Sequence, residues 1–333
     1  MAETAPPLGA QHSVASVTCV KKLSESPDLN SIPSCYAYYT NPAETMASDP
    51  HDSIPTIDLS LLTSDNPDHR SKAIQDLDKA CEEWGFFMVV NHGIPEQLMR
   101  AVIDVADEFF NLPEEEKPEF QPQNVFGTNQ FHSPHKPQSL REVVMEYCKR
   151  SREVVRKLLK GISESLGIEE SEMEKSLGLD SSLQIFVANL YPRCPNPDAA
   201  VGAAPHSDHG LFTLLIQNQV AGLHIQHKGN WVHVTPRPNS ILVNTADHLE
   251  IFSNGKYKSV LHRAVVNNMK ARISVAVTNG PSADTVVSPA PHLLRTQDCW
   301  PAYVPMKYKD YLLTQQGSQL NGKSILRQVQ IQD

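Results

Sequence analysis

The sequence predicts an α+β fold: a helical first half followed by a jelly roll or antiparallel sandwich. Three observations carry this reading. Before residue 180, apolar residues recur at the 3.6-residue period of a helix in several segments. After residue 183, the chain breaks into runs of strand composition separated by turn residues, a spacing typical of sandwiches and jelly rolls. At 333 residues with 40% in the apolar set, the chain can bury a substantial core, as one large domain or two modest ones.

Residues 1–16 read as a leader with little to bury, and residues 17–50 as a short helix and an arm laid over the body. Together, residues 1–52 form a leader and N-terminal arm. Ile54 to Leu59 alternates like a short strand. Pro67 and Asp68 open a helix with apolar positions Ala73, Ile74, Leu77, Ala80, Cys81 and Trp84, and Gly85 ends it. Phe86 to Val90 is an aromatic and β-branched strand closed by Asn91-His92-Gly93. Pro95 starts a second helix that runs to Leu112 and Pro113. Residues 113–138 hold five prolines and read as an irregular connection. A long helix begins at Ser139 and stops at Gly167, and a shorter one covers 170–177. Strands are expected at Leu183 to Tyr191, Phe212 to Gln217, Gly222 to His227, Trp231 to Val234, Ser240 to Asn244, Ser259 to Val266 and Arg272 to Val277. Met306 to Leu313 is expected to be a last helix. The change of style near residue 180 marks the best boundary, separating residues 53–180 from 181–290, with 291–333 as a C-terminal extension.

Composition narrows the partners. The net charge is −9 with no basic cluster, which argues against nucleic acid. No apolar run approaches the roughly 20 residues of a membrane helix. Six cysteines are scattered without a CxxC pair, consistent with a reducing compartment. The first residues have no secretory pattern, and the first arginine is Arg70, late for a transit peptide. A cytoplasmic monomer acting on a small molecule is the expectation.

The densest chemistry lies between His206 and Ser274. Residues two apart in a strand share a face, so His206 and Asp208 can aim an imidazole and a carboxylate at one point. Arg272 and Ser274 can likewise aim a guanidinium and a hydroxyl together. If His262 arrives from a distant strand, two imidazoles and a carboxylate form one face of an octahedron, a donor set suited to non-haem Fe(II). Fourteen histidines make a lone HxD tripeptide weak evidence. The combination is stronger, because polar groups left unpaired among buried strands would cost several kcal/mol. Zinc could also occupy two histidines and a carboxylate, but zinc chemistry gives the Arg-x-Ser pair no role.

These motifs, in order, resemble the 2-oxoglutarate- and Fe(II)-dependent dioxygenases, specifically the plant group of specialised metabolism. Ile54-Pro55-Thr56-Ile57-Asp58, Trp84-Gly85-Phe86-Phe87 and Val90-Asn91-His92-Gly93 look like its N-terminal region. Asn189-Leu190-Tyr191-Pro192, Pro205-His206-Ser207-Asp208, Ser253-Asn254-Gly255-Lys256-Tyr257-Lys258-Ser259, Leu261-His262-Arg263 and Arg272-Ile273-Ser274 look like its catalytic half. The resemblance covers nearly the whole chain and implies a double-stranded β-helix over residues 181–290, flanked by N-terminal and long supporting helices. It implies that His206, Asp208 and His262 ligate Fe(II). Arg272 would pair with the distal carboxylate of 2-oxoglutarate, Ser274 and Tyr191 would hydrogen-bond the same group, and Asn189 would lie near the metal. A planar guanidinium suits bidentate carboxylate binding better than lysine. O2 would be the oxidant and ascorbate the reductant, with succinate and CO2 released.

Substrate residues are less defined. Phe126, Phe131 and Phe212 are the aromatic candidates, and Thr278 is a fourth, non-aromatic one. Flavonoid-oxidising relatives carry an aromatic just beyond the Arg-x-Ser strand, where this chain has Thr278 and Asn279, which weakens a flavonoid reading. His92 is expected to be a structural turn residue, Trp231 core, and His209 and His248 are kept apart from the triad. Only ten residues separate Phe120 from Phe131, where relatives carry a longer stretch over the pocket. Hydroxylation of a small plant metabolite or hormone-like compound is the leading reading. O-demethylation, desaturation, an ascorbate-dependent ethylene-forming activity and a non-catalytic binder are the alternatives.

Overall fold

The computed structural model describes residues 20–27, 31–33, 37–38, 46, 53–113, 116–117, 138–296, 299–317 and 324–332. The expected irregular connection at 113–138 lies largely outside the described residues, together with Phe126 and Phe131.

Helix Pro67–Lys79 starts where the sequence signals it. The Asn66 side chain accepts from the amides of Asp68 (3.0 Å) and His69 (3.3 Å), and Pro67 occupies the first helical position, where a missing N–H costs nothing. The helix widens through Ala80–Trp84 and stops at Gly85, whose φ is +64°. A Cβ on Gly85 would overlap the carbonyl oxygen of Lys258. Gly85→Ala is therefore expected to lower unfolding free energy by about 1–3 kcal/mol from backbone conformation alone, and by more once the overlap is included. Urea titration would show this as a lower midpoint, and an unchanged midpoint would contradict it.

Helix Gln138–Ser165 is the long support. Its buried face, including Val144, Tyr147, Val154, Leu158 and Ile162, packs against helices Pro67–Lys79 and Glu96–Asn111. The chain leaves it through Gly167 at φ +66°. Helix Glu170–Leu177 follows.

Among the described residues, ten strands build the two main sheets. They are β1 (Thr56–Asp58), β2 (Phe86–Val90), β3 (Gln184–Tyr191), β4 (Ala203–His206), β5 (Phe212–Gln217), β6 (Leu223–His227), β7 (Asn230–Val234), β8 (Ile241–Thr245), β9 (His262–Ala264) and β10 (Arg272–Asn279). The larger sheet has the order β1-β2-β8-β5-β10-β3 and the smaller β4-β9-β6-β7. Strands β3 to β10 form the double-stranded β-helix, while β1 and β2 extend its larger sheet from the N-terminal region. Strands from either side of residue 180 are thus hydrogen-bonded in one sheet.

Alternation divides the larger sheet into two faces. Phe87, Val89, Phe212, Leu214, Ile216, Val243, Ile273, Val275 and Val277 point to the helices and join the main core. Phe86, Met88, Leu215 and Leu242 point inward, toward Leu223, Ile225, Val232 and Val234 of the smaller sheet. The inward face also carries the polar residues of the candidate site.

Two expected elements differ. The strand expected at 259–266 shrinks to His262–Ala264, because the Ser259 amide donates to the Glu250 carboxylate (2.6 Å) and the Lys258 amide to the Cys81 carbonyl (3.1 Å). Those donors are used away from the sheet, so the ladder starts only at His262. The expected helix at 306–313 begins at Tyr308 and runs to Gly317, since Met306–Lys307 pairs with Val286–Val287. A further helix, Ser324–Val329, lies beyond it.

Candidate active site

His206 closes β4 and His262 opens β9, and the two stand opposite each other in the antiparallel ladder. A register irregularity between Ala203 and His206 interrupts regular pairing beside the first imidazole, a device that re-aims side chains near functional sites. Asp208 follows two residues later. Its Oδ1 lies 3.8 Å from His206 Nε2 and 3.6 Å from His262 Nε2, and the three ligand atoms fall within 4.8 Å of one another.

The other ends of these side chains are fixed. His206 Nδ1 lies 2.7 Å from the carbonyl of Ala204, and His262 Nδ1 lies 3.3 Å from that of Val260. A carbonyl can only accept, so each Nδ1 carries the proton and each Nε2 offers a lone pair. Asn244 donates to Asp208 Oδ2 at 2.9 Å, leaving Oδ1 toward the imidazoles. Burial alone would raise the Asp208 carboxyl, but His262, His206 and hydrogen bonds from Thr213 and Asn244 outweigh it and hold the pKa at about 2. Burial, reinforced by His206, lowers His262 to about 4. At neutral pH the site offers a carboxylate and a neutral His262 imidazole, both ready to ligate. Phe86 packs edge-on against the His262 ring at 5.4 Å.

The second group lies on β10 and its neighbours. Arg272 stands opposite Tyr191, and Ser274 stands between Asn189 on β3 and Gln217 on β5. All five therefore share the inward face. Arg272 is 1% exposed. Its Nε and Nη2 donate to Gln217 Oε1 at 3.0 and 2.6 Å, its Nη1 lies 3.5 Å from Ser274 Oγ, and its guanidinium sits 5.0 Å from the Tyr191 ring. Burial lowers the Arg272 pKa and Tyr191 opposes that shift. Two glycines make room for these side chains: a Cβ on Gly202 would overlap the Tyr191 ring, and one on Gly222 would crowd the Arg272 stem at 3.0 Å.

The triad residues thus converge, and so do Arg272, Ser274, Tyr191 and Asn189. Phe212 is not brought to them. It points to the helices and packs on Phe87 with ring centroids 6.2 Å apart. Its strand carries apolar residues on both faces, so alternation in the sequence did not reveal which face is inward. Thr278 does lie on the inward face, 7% exposed, with its hydroxyl 3.1 Å from that of Thr213. His92 accepts the Ile94 amide within its turn, and Trp231 is buried beneath the Arg263 guanidinium. Gln217 and Asn244 were not picked out from sequence. The available signal was a polar residue at the end or middle of an otherwise apolar strand.

The donor set fits a divalent iron: one carboxylate and two imidazoles that expose their Nε2 atoms toward one point. The Arg272 pocket fits a dicarboxylate. Its guanidinium is buried, yet its hydrogen-bond partners among the described residues are uncharged, and a buried cation is strongly favoured by an anionic partner.

Comparison with known proteins agrees. The 2OG-Fe(II) oxygenase superfamily profile matches residues 182–281, and the profile of the non-haem dioxygenase in morphine synthesis N-terminal region matches residues 54–154. The chain is 41% identical over 309 residues to 2-oxoglutarate-dependent dioxygenase 19 of Oryza sativa subsp. japonica, covering 85% of this chain and 91% of the rice protein. It is 36% identical over 334 residues to a flavonol synthase/flavanone 3-hydroxylase of Petunia hybrida, covering 90% and 93%. Among solved structures it is similar to JOX2 in complex with 2OG, Fe and JA, with a TM-score of 0.81, 29% identity, and coverage of 94% of this chain and 97% of that one. Measured by the rice relative and by the two profiles, the chain belongs to the 2-oxoglutarate- and Fe(II)-dependent oxygenases and is an enzyme of the dioxygenase class.

Proposed function

We propose that the protein hydroxylates a small plant specialised metabolite or hormone-like compound, with Fe(II) on His206, Asp208 and His262 and 2-oxoglutarate anchored by Arg272. The buried Arg272, whose hydrogen-bond partners among the described residues are uncharged and which lies on the same sheet face as Asn244, the residue that orients Asp208, is the observation that carries this reading. When bound, iron and 2-oxoglutarate supply the activation of O2 and the oxidation, with release of succinate and CO2 and with ascorbate as reductant. Arg272 holds the distal carboxylate through its fork, and Ser274 and Tyr191 donate hydroxyl hydrogen bonds to it. Gln217 keeps the guanidinium plane in place from behind. Asn189 and Ser274 occupy paired positions on β3 and β10, next to the Arg272–Tyr191 pair.

Access runs along β3. Val187 lies on the same face as Asn189 and is 40% exposed, and its partner Ala276 is half-buried. These small side chains are the substrate-facing candidates. Thr278 shapes the floor through Thr213. Names of relatives support the substrate class: flavonol synthase/flavanone 3-hydroxylase, feruloyl CoA ortho-hydroxylase 1 and lateral branching oxidoreductase 1 match at 36%, 35% and 36% identity. The protein acts as a cytoplasmic monomer in this reading. No described helix is long and apolar enough to cross a membrane.

The test is an untargeted one. Purified protein, Fe(II), ascorbate and 2-oxoglutarate are incubated with plant extracts, and mass spectra are searched for gain of one oxygen. Loss of one methylene would indicate O-demethylation and loss of two hydrogens desaturation. Succinate formed in step with substrate loss rejects the ethylene-forming alternative. Absence of succinate with every extract would overturn the proposal.

A further inference from the structure

The loop that carries Asp208 is held from behind by helix Tyr308–Gly317. Three backbone bonds tie 208–211 to the segment after β8, and a fourth ties it to the end of β10. Asp247 N donates to Asp208 O (2.8 Å), His248 N to Gly210 O (2.9 Å), Ala246 N to Leu211 O (3.0 Å), and Leu211 N reaches Asn279 O (2.7 Å). Helix Tyr308–Gly317 then closes over that segment. The Tyr311 hydroxyl donates to Asp247 Oδ2 at 2.6 Å, and Ser207 Oγ reaches the same oxygen at 3.3 Å. The Tyr308 hydroxyl lies 2.8 Å from His209 Nδ1, and Gln315 Nε2 lies 3.5 Å from the Ser207 carbonyl.

These contacts bracket the metal carboxylate. Ser207 and His209 are its immediate neighbours in the chain, and both are bonded to this helix directly or through Asp247. The packing is close. Tyr308, Tyr311, Asp247 and His248 are at most 1% exposed. The His248 ring is wedged edge-on against both tyrosines, each at 4.6 Å. A Cβ on Gly280 would overlap the Tyr308 hydroxyl, so the sheet itself leaves space for this side chain. A network this buried has few alternative arrangements, since each broken bond would strand a polar group.

We propose that helix Tyr308–Gly317 is a clamp that sets the position of Asp208, with Tyr311 and Tyr308 as positioning residues for metal affinity. The proposal rests on the assignment of the metal to His206, Asp208 and His262. Neither tyrosine touches the Arg272 group, so the clamp acts on metal affinity and leaves 2-oxoglutarate binding unchanged.

The test uses the full-length protein and Mn(II) as probe, with affinity read by calorimetry or electron paramagnetic resonance. Tyr311→Phe is expected to weaken Mn(II) binding about tenfold, the lower end of the range for outer partners of a metal ligand. Tyr303→Phe is the matched control. It also removes a buried tyrosine–carboxylate bond from the C-terminal segment, to Glu250 at 2.9 Å, but that bond does not reach 207–211. Tyr303→Phe should lower thermal stability comparably and leave the Mn(II) Kd within twofold. KM for 2-oxoglutarate at saturating metal should be unchanged in Tyr311→Phe. Equal Kd shifts in the two variants, or none in Tyr311→Phe, would overturn the clamp. If Tyr311→Phe fails to fold, Tyr308→Phe carries the same criterion through the His209 contact. Failure of the metal assignment looks different: Mn(II) binding would then survive His206→Ala unchanged.

Discussion

Asp208→Ala abolishes succinate formation and weakens metal binding by more than about 100-fold, beyond what outer partners of a ligand contribute. The expectation follows from what the carboxylate does. It is the one anionic member of the triad, and its Oδ1 faces both imidazoles while Asn244 holds Oδ2. Without it, two imidazoles remain, and a hard divalent cation loses its charged ligand. The fold should persist, because Asp208 lies in a loop whose backbone carbonyl, not its side chain, accepts from Asp247. Circular dichroism and Mn(II) titration separate the two effects. Succinate formation within tenfold of wild type, with metal still bound, would refute the assignment.

Arg272→Leu should raise KM for 2-oxoglutarate by about 10²–10³-fold, corresponding to the roughly 2–5 kcal/mol lost when one partner of a buried, hydrogen-bonded charge pair is truncated. Its effect on the protein without cosubstrate is the informative contrast. There the guanidinium is buried against uncharged partners, and replacing a buried charge by an apolar side chain is often neutral or stabilising. The melting temperature without 2-oxoglutarate should therefore hold, while the rise in melting temperature on adding 2-oxoglutarate disappears. Mn(II) affinity should be unchanged, since Arg272 lies on β10 and makes no bond to the triad. A variant that keeps its 2-oxoglutarate-dependent shift would place the cosubstrate elsewhere.

How much of this was legible in the sequence depends on the distance over which the information is carried. His206 and Asp208, or Arg272 and Ser274, are two residues apart, and strand geometry alone puts each pair on one face. The union of β4 with β9 was not local, and there the ordered motifs supplied what spacing could not. Gln217 was missed because its meaning lies in register. It matters only once β5 is known to pair with β10 so that Gln217 meets Ser274. Phe212 shows the same limit in reverse. Strand β5 is buried on both faces, so Phe212-Leu214-Ile216 and Thr213-Leu215-Gln217 could each have been inward. The C-terminal contacts on 207–211 were invisible for a third reason: tyrosines in a short helix look alike whether they touch solvent, core or a metal loop.

The pairing of β2 with β8 has a consequence during synthesis. Phe86 meets Asn244, a partner 158 residues later in the chain (244 − 86). At roughly 5–20 residues per second, the ribosome needs about 8–32 s to deliver that partner. Through that interval the segment Phe86-Phe87-Met88-Val89-Val90, apolar on both faces, is a strand whose principal neighbour does not yet exist. Such a segment is a ready template for pairing with other nascent chains. Yield of active enzyme should therefore depend on chaperone supply and translation speed more than the stability of the finished protein would suggest.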